Sequence, residues 1–592
     1  MSNSIPPQFI LLIGALLIPL FRGKLKLGYM LALPVFAFYN YLQMPEGVYW
    51  TFELLDFKLI FGRADKLSLI FVNIFTVVTF IAVIYNIQAR NNLEYFAGFL
   101  YAGCAIGMVL AGDLITFFIF WEMLTFGAVL LILARKSSRS MGAAIRYLLV
   151  HIVGGLILLS GIILHFKEFG SLEFGYIGLN HLSSYLIFIG FGLNCAWPIL
   201  HAWLPDAYPE ASIGGVIFMA TFTTKGAVYA LMRGFPGEPS LLWIGMAMAI
   251  FPIFYAVLEN DLRKVLAYSL INQVGFMVVG IGIGTSLSLN GAAAHVYCHI
   301  LYKALLFMSI GAIIRQTGKV KATELGGLFR SMPFTAVCCM IGAASISAFP
   351  LFSGFVSKSM VMSAAAEGHY TIIWVALLFA SAGVFHHAGI KIPFFAFFSH
   401  DSGIRVKEAP INMRIAMGIA AFLCIFVGIF PNQTLYKLLP FAVEVAYEPY
   451  TFAHVMGQGM LLIFSALAFT LLLLSGIYPA EIRAINIDAD WFYRKGGRLF
   501  YSFFDYSLNG INTFAHKTFI AGATASICRA AKEGPAKAII FLLTPYWTLT
   551  GNNSQQQAVK RKNLRRQIEK GSFPIGITAC LAVLLLGILF FF

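Results

Sequence analysis

The fold is decided by residues 191–231, which read FGLNCAWPILHAWLPDAYPEASIGGVIFMATFTTKGAVYAL. The stretch is mostly apolar and is long enough to cross a bilayer and return. Yet it contains Pro198 and Pro205, and Lys225 lies among uncharged residues on both sides. Proline-broken backbone and charged groups persist at membrane depth only where protein or a water-filled cavity surrounds them. The stretch therefore predicts a broken membrane helix followed by a helix with a proton-handling lysine.

The composition indicates a polytopic membrane protein. Of the 592 residues, 59% are hydrophobic and only 11% are charged, and the mean hydropathy is +0.81. A soluble core cannot absorb that much apolar surface. The formal charge of +15 would suggest a nucleic-acid partner in a soluble chain, but no basic stripe interleaves with aromatic residues. We predict no nucleic-acid binding and assign the excess charge to cytoplasmic loops.

The cysteines give no sign of a metal centre. The eight residues are scattered, mostly inside apolar runs, and no CxxC pair occurs. No GxGxxG motif opens a helix after a strand, and no GxxxxGK[ST] motif is present. The sequence therefore predicts no bound metal, iron–sulfur cluster, haem or nucleotide cofactor.

Apolar windows recur at about sixteen places, from residues 8–21 to residues 573–592. Lys and Arg collect in short loops such as 135–146, 261–264 and 315–330. Placing these loops in the cytoplasm gives a consistent alternation of sides along the chain.

A second span, residues 333–362, is also interrupted. It contains SISAFPLFSGFVSKSM, in which Pro350 breaks the helix shortly before Lys358. Each broken span is followed by one that carries a lysine, Lys225 or Lys391. Broken helices at corresponding places in two halves are typical of transporters built from repeats, with the site at the breaks. For Lys391 the alternative is a side chain that reaches the membrane surface.

Glu122 lies about nine residues inside an apolar helix that reads DLITFFIFWEMLTFGAVLLILA. Burial favours the neutral form of both a carboxyl and an ammonium group. We therefore predict that Glu122 and Lys225 exchange a proton near neutral pH. The alternative is a structural glutamate held by hydroxyl groups or by a lysine on a neighbouring helix.

AAAHVYCHILYKALLF places His295, His299 and Lys303 at four-residue steps, and therefore on one helix face. Such a row suits a proton relay. Metal binding is disfavoured because no carboxylate or thiolate lies on the stripe, and hydrogen bonding between helices is the structural alternative. His151 is interpreted as a packing residue within its own span, and Asp206 is expected to cap the following helix.

These motifs together resemble a known family. The Trp121-Glu122 pair, HAWLPDAYPEAS, TFTTKGAVYAL, DLRKVLAYSLINQVG, HVYCHILYKALLF and FPLFSGFVSK are similar to the antiporter-like membrane subunits of respiratory complex I and of Mrp cation/proton antiporters. The resemblance covers about residues 60–440. INIDADWFYRK, beyond that range, is most similar to the D-type subunit of multisubunit sodium/proton antiporters.

The resemblance implies an all-α polytopic fold with about fourteen core transmembrane helices, two inverted five-helix repeats and two broken helices. We expect a C-terminal extension with about two further spans. The chain would then divide into N-terminal transmembrane helices (1–93), a first repeat (94–232), a second repeat (240–397), C-terminal transmembrane helices (411–480), a basic amphipathic extension (481–572) and a final transmembrane helix (573–592).

The family also implies a central polar axis of titratable residues. The residues of this chain that match it are Glu122, Lys225, His295, His299 and Lys358, to which we add Lys303 and Lys391. The lysine that the family has eleven residues before the LPDA proline is Asn194 here, and Gln273 lies where some members have histidine. Because Asn194 cannot carry a proton, either Glu122 works directly against Lys225 or this half has an altered channel.

We therefore expect a proton-translocating, antiporter-like subunit of a multisubunit monovalent cation (Na⁺)/proton antiporter in the bacterial inner membrane. Protons would pass along Lys225, His299, His295 and Lys358. The expected partners are other membrane subunits, protons and sodium ions, and the lipid bilayer. The chain would not itself be an enzyme, or would at most be part of an NADH–quinone oxidoreductase-like translocase.

Three alternatives remain open from the sequence. The first is a proton-pumping subunit of a redox-driven complex I-like or membrane hydrogenase assembly. The second is a non-conducting scaffold for ion uptake, which Asn194 favours and the retained Glu122, Lys225 and Lys358 disfavour. The third, a transporter that acts alone, is disfavoured because members of the family need partners.

Overall fold

A computed structural model describes residues 5–54, 57–88, 91–476, 486–571 and 575–591. Within these residues, 11 helices are long and apolar enough to cross a membrane, and four shorter apolar helices accompany them. The prediction of an all-α polytopic membrane protein is confirmed. The expectations for 481–485, at the start of the extension, and for 573–574, in the final span, fall outside the described residues.

The chain divides into two compact units, Met1–Asp490 and Trp491–Phe592. The helices of the first unit are α1 (Pro7–Leu17), α2 (Gly23–Leu42), α3 (Lys66–Asn86), α4 (Asn92–Leu110), α5 (Leu114–Leu133), α6 (Ser138–Phe169), α7 (Leu182–Asn194), α8 (Trp203–Ala207), α9 (Gly215–Thr221), α10 (Thr223–Gly234), α11 (Ser240–Leu258), α12 (Leu262–Ile283), α13 (Ser286–Thr317), α14 (Pro333–Ile346), α15 (Ser353–Glu367), α16 (Thr371–Val384), α17 (Lys391–Pro393), α18 (Ile411–Ile429) and α19 (Phe452–Leu474).

A β-hairpin that the sequence analysis did not anticipate precedes α3. Strand β1 (Gly47–Leu54) pairs antiparallel with β2 (Phe57–Ala64). The Asp113 carboxylate accepts hydrogen bonds from the backbone N–H of Ile60 at 2.6 Å and of Thr116 at 2.7 Å. Asp113 therefore caps the start of α5 and at the same time fastens the hairpin to it.

The helices that carry polar residues lie at the centre of the first unit. The apolar windows of Gly215–Gly234 and of α12 are completely buried, whereas only 17% of the window in α19 is buried. Charged side chains on the central helices are thereby surrounded by protein rather than by lipid, which greatly reduces the cost of placing them at membrane depth.

Helix lengths and caps repeat in two halves of the first unit. Both ends of α11 lie 148 residues after those of α4 (240 − 92 and 258 − 110). The same shift relates α13 to α6 (286 − 138 and 317 − 169). Both α6 and α13 end at a left-handed glycine, Gly170 and Gly318, the usual C-terminal cap. Two stretches of different sequence have thus formed helices of the same lengths with the same caps.

Both predicted breaks are present and share a backbone conformation. α7 and α14 are each followed by an Ala–aromatic–Pro–aliphatic sequence, residues 196–199 and 348–351. The alanine and the aliphatic residue have positive φ in both: 62° at Ala196, 72° at Ile199, 58° at Ala348 and 74° at Leu351. Because proline has no N–H to donate and left-handed residues turn the chain aside, the helix cannot continue through either sequence.

The described residues of the second unit are mostly helical, with a short non-helical connection at 550–553. Its elements are α20 (Ala489–Ala515, which begins at the end of the first unit), a π-helical turn (His516–Ala523), α21 (Thr524–Leu549), α22 (Ser554–Gly571) and α23 (Ile575–Phe591). Residues 498–543, within the expected amphipathic extension, are helical. Glu533 of α21 pairs with Lys537 at 2.8 Å and with Arg565 of α22 at 3.2 Å.

Candidate proton-transfer site

Lys225 is enclosed by protein next to an interruption between α9 and α10. α9 ends at Thr221 and α10 begins at Thr223, with Lys225 in its first turn. The ammonium donates to the Ala220 carbonyl at 2.6 Å and to the Thr224 hydroxyl at 3.1 Å, and the residue is 0% exposed. Both of these acceptors are neutral oxygens, which stabilise the charge less than a carboxylate does. Such an environment suits a lysine that releases its proton.

Glu122 lies against the backbone of α6. A Cβ added at Gly155 would collide with the Glu122 carboxylate, so the glycine provides the space for the acid. Within the described ranges, Glu122 Oε1 has no hydrogen-bond partner, and no ion pair joins Glu122 to Lys225. Direct exchange of a proton between these two residues therefore requires a carrier between them or a movement of one of them.

Asn194 is the last residue of α7 and is buried. Neither its amide oxygen nor its amide nitrogen has a hydrogen-bond partner among the residues that the structure covers. Its neighbour Cys195 lies close enough to Lys225 for the two to interact electrostatically. The position that the resemblance assigns to a second lysine is thus adjacent in sequence to a residue within electrostatic reach of Lys225, but it holds a group that cannot change its charge.

The α13 row lies in the same interior. His295, His299 and Lys303 are all 0% exposed, and the two imidazole centroids are 6.2 Å apart. His295 Nδ1 lies 3.0 Å from the Ser357 hydroxyl, and Lys303 donates to the Leu266 carbonyl at 3.0 Å.

His299 connects that row to Lys225. Neither of its ring nitrogens has a partner in the described part of the chain. Lys225 and Lys303 are both close enough to interact with it electrostatically. Unpartnered ring nitrogens are available to accept and donate protons, as a relay requires.

Lys358 lies just after the second break. Its ammonium donates to the carbonyl of Ile346, the last residue of α14, at 2.9 Å. It also lies 5.0 Å from the centroid of the Phe276 ring, at a distance that allows a cation–π interaction. The preceding residue, Ser357, contacts His295. The second break thus brings Lys358 next to one end of the α13 row.

Lys391 follows a π-helical segment, Phe385–Ile390, and does not reach the surface. It is 0% exposed and donates to the carbonyls of Val257 at 2.6 Å and Glu259 at 2.8 Å, at the end of α11. His387, also 0% exposed, lies close enough to both Lys303 and Lys391 to interact electrostatically. The candidate set from sequence lacked His387; its position four residues before Lys391 is the signal that could have included it.

The first break is held by a residue that the sequence analysis did not connect with it. His201 Nε2 lies 3.1 Å from the Asp488 carboxylate, and the Tyr268 hydroxyl donates to the same group at 2.6 Å. Burial alone would raise the pKa of Asp488, but the hydrogen bonds from His201 and Tyr268 outweigh it and hold the pKa below its usual value. Asp206 does not cap the following helix: it pairs with Arg146 at 2.7 Å and 2.9 Å.

One family of known proteins matches the part of the chain that contains most of this site. The family described as NADH:quinone oxidoreductase/Mrp antiporter, transmembrane, matches residues 111–386. The matched range begins just before α5 and ends within the π-helical segment. It includes every candidate site residue except His387 and Lys391.

Curated relatives match a larger part of the chain. Hydrogenase-4 component B of Escherichia coli is 26% identical over 66% of this chain and 65% of its own length. The putative antiporter subunit mnhD2 of Staphylococcus aureus is 28% identical over 67% of this chain and 85% of its own length. A probable K⁺/H⁺ antiporter protein of Rhizobium meliloti is 29% identical over 67% of this chain, and the match spans only 42% of that relative. The chain therefore spans less than two thirds of two of these relatives.

Solved structures share the fold. A chain of the archaeal membrane-bound sulfane sulfur reductase superposes with a TM-score of 0.69 and 23% identity, over 91% of this chain and 99% of that one. A chain of the Mrp complex from Dietzia sp. gives a TM-score of 0.63 and 20% identity, over 77% and 95% of the two chains. At these identities the comparison shows a common polytopic fold.

Proposed function

Because residues 111–386 form a transmembrane domain of the NADH:quinone oxidoreductase/Mrp antiporter family, we propose that the chain is a proton-translocating, antiporter-like subunit of a multisubunit monovalent cation/proton antiporter. Its place would be the bacterial inner membrane, among other membrane subunits. Sodium is the proposed cation, because INIDADWFYRK resembles the D-type subunit of multisubunit sodium/proton antiporters. The chain would carry protons, and its partners would complete the exchange.

The observation that supports this function is a row of buried titratable residues within electrostatic reach of one another. Lys225 interacts with His299, His299 with Lys303, and Lys303 with His387, which in turn interacts with Lys391. Each of these side chains is fully buried in protein. A structural role alone does not require five costly groups in sequence, whereas stepwise proton transfer does.

A membrane potential can drive protons along such a row. Moving one charge through 100 mV is worth about 2.3 kcal/mol. That equals the effect of changing the proton affinity of one buried group by less than about two pKa units. Small changes of contact at Lys225 or at either break therefore suffice to open or close the path.

The decisive experiment measures proton flux in vesicles that contain the intact complex. We expect Lys225→Ala to abolish coupled flux while the complex still assembles, because His299 then has no charged neighbour on α10. Lys264→Ala is the matched control, since Lys264 is a partly exposed lysine on the neighbouring α12. Normal flux in Lys225→Ala would overturn the proton path and leave the non-conducting scaffold as the better description.

A further inference from the structure

We propose that His151 carries the proton between Glu122 and Lys225. In the first half of the protein it thereby replaces the lysine that the family has at position 194, where this chain has an asparagine that cannot carry a proton. This inference rests on the proton path proposed above. It reverses the interpretation of His151 as a packing residue.

The repeated spacing of the helices assigns His151 its counterpart. Because α13 follows α6 by 148 residues at both ends, the relay face of α13 has an equivalent on α6. His299 corresponds to His151 (299 − 148). His295 and Lys303, four residues before and four residues after His299, correspond in the same way to Tyr147 and Gly155. The histidine at the centre of the row is thus present in both halves.

The surroundings of His151 leave one ring nitrogen available. The residue is 1% exposed, and its Nδ1 lies 2.9 Å from the Tyr147 carbonyl. A carbonyl only accepts, so Nδ1 carries the hydrogen and Nε2 has the free lone pair. Nε2 has no partner in the described part of the chain. The imidazole ring is stacked on the Tyr147 ring, with the centroids 3.8 Å apart, and lies edge-on to the Trp203 ring, with the centroids 4.6 Å apart. These contacts fix the orientation of the imidazole.

On one side of His151 lies the acid. Gly155 is four residues further along α6 and therefore on the same helix face. The carboxylate of Glu122 occupies the space above Gly155. In the second half the position equivalent to Gly155 is Lys303. Each half therefore has an ionisable group one turn beyond the histidine: Glu122 from α5 in the first half and Lys303 from α13 in the second.

On the other side, hydroxyl groups lie between His151 and the lysine. The Tyr147 hydroxyl lies 3.2 Å from the Thr223 hydroxyl, which also bonds to Tyr101. The adjacent Thr224 hydroxyl accepts a hydrogen bond from Lys225. Groups that can donate and accept protons thus lie between His151 and Lys225. In our proposal, side-chain rotation completes the steps from Glu122 to His151, from His151 to the Tyr147 hydroxyl and from Thr223 to Thr224.

The test is proton flux in vesicles with the intact complex, measured for His151→Gln. We expect coupled flux to fall about 100-fold, the usual contribution of one positioned proton-transfer group. His165→Gln is the matched control, because His165 is a half-buried histidine on the same helix, and its flux should be unchanged. Assembly is followed in parallel.

A second variant separates proton transfer from packing. Adding Asn194→Lys to His151→Gln returns a titratable group next to Lys225, so flux should recover, whereas a packing defect at His151 would persist. Near-normal flux in His151→Gln, or a loss that Asn194→Lys does not restore, would overturn the inference. Either result leaves the proton path itself intact as long as Lys225→Ala still abolishes flux, so the two failures are distinguishable.

Discussion

The absence of a side chain at Gly155 is as important to Glu122 as any contact that the acid makes. The carboxylate lies directly over the glycine, where any Cβ would collide with it. We expect Gly155→Ala to displace the end of the flexible Glu122 side chain with little loss of stability, and to lower coupled proton flux to the level of Glu122→Gln. Thermal unfolding in detergent and vesicle flux measure the two effects.

The control for Gly155→Ala is Gly418→Ala on α18, where an added Cβ would meet only Phe334 at an ordinary 3.6 Å. That variant should leave both measurements unchanged. If the alanine at 155 acts through the acid, combining it with Glu122→Gln should lower flux no further than either change alone. A fully additive loss would contradict this explanation.

The candidate residues that sequence predicted are those whose burial is expensive. Lys225 and Glu122 could be singled out because a charge inside an apolar run is costly. The structure buries Lys225 fully and Glu122 partly. Histidines give a signal in the sequence only when they share a helix face with a lysine, as His295 and His299 do with Lys303 and His387 does with Lys391. His151 has no such neighbour on its helix, and only the structure reveals what it can do.

At the level of single elements, Asp65 joins the start of α3 to the end of α10. It caps α3 by accepting from the Ser68 N–H at 2.8 Å, and it pairs with Arg233 at 2.8 Å and 2.9 Å. Burial raises the pKa of Asp65, but Arg233 and the cap outweigh that effect, and the pKa lies below its usual value. Its stabilising contribution is therefore complete above the pKa of the unfolded chain and is lost as the pH falls through the lower folded pKa.

Two substitutions at Asp65 should separate the cap from the ion pair. Asparagine still caps a helix but carries no charge. Asp65→Asn should therefore lose the acid-dependent part of the stability, which comes from the ion pair with Arg233, and keep the contribution of the helix cap. Asp65→Ala should lose the cap as well, about 1 kcal/mol more. Thermal unfolding between about pH 3 and pH 7 measures this, with Asp505→Asn, an exposed site on α20, as control. An unchanged acid dependence in Asp65→Asn would contradict the prediction.

The β-hairpin shows why some elements escaped prediction. No Asn-Gly or Asp-Gly pair separates the two strands in the sequence, and β1 is largely exposed. Its position depends instead on groups far away in the sequence, among them the Asp113 carboxylate, the Gly112 N–H and the Gln8 side-chain amide. Prolines inside apolar runs, by contrast, act on the backbone locally, and both broken helices were therefore predicted.

At the level of the whole molecule, the two breaks should respond alike to the same change. Ile199 and Leu351 both have positive φ, which costs a side-chain-bearing residue about 1–2 kcal/mol. Both side chains are exposed, so little packing is lost on removing them. After the entropic cost of glycine, Ile199→Gly and Leu351→Gly should each raise stability by about 0.5–1 kcal/mol.

Thermal unfolding of the purified protein tests this pair of substitutions. Ile189→Gly, at an exposed position within the regular part of α7, is the control and should lower stability. If one break variant were more stable and the other less stable than the unmodified protein, the shared backbone conformation would not carry the same strain at the two breaks.

The contact between His201 and Asp488 has a consequence for how the protein is made. The two residues are 287 positions apart. At about 5–20 residues per second, a ribosome supplies the acid roughly 15–60 s after the histidine. During that interval the helices between the two residues enter the membrane, while His201 at the first break does not yet have the Asp488 carboxylate as a partner. The first break thus receives its partner from a residue near the end of the first unit. A chain released before residue 488 would lack the carboxylate that His201 contacts.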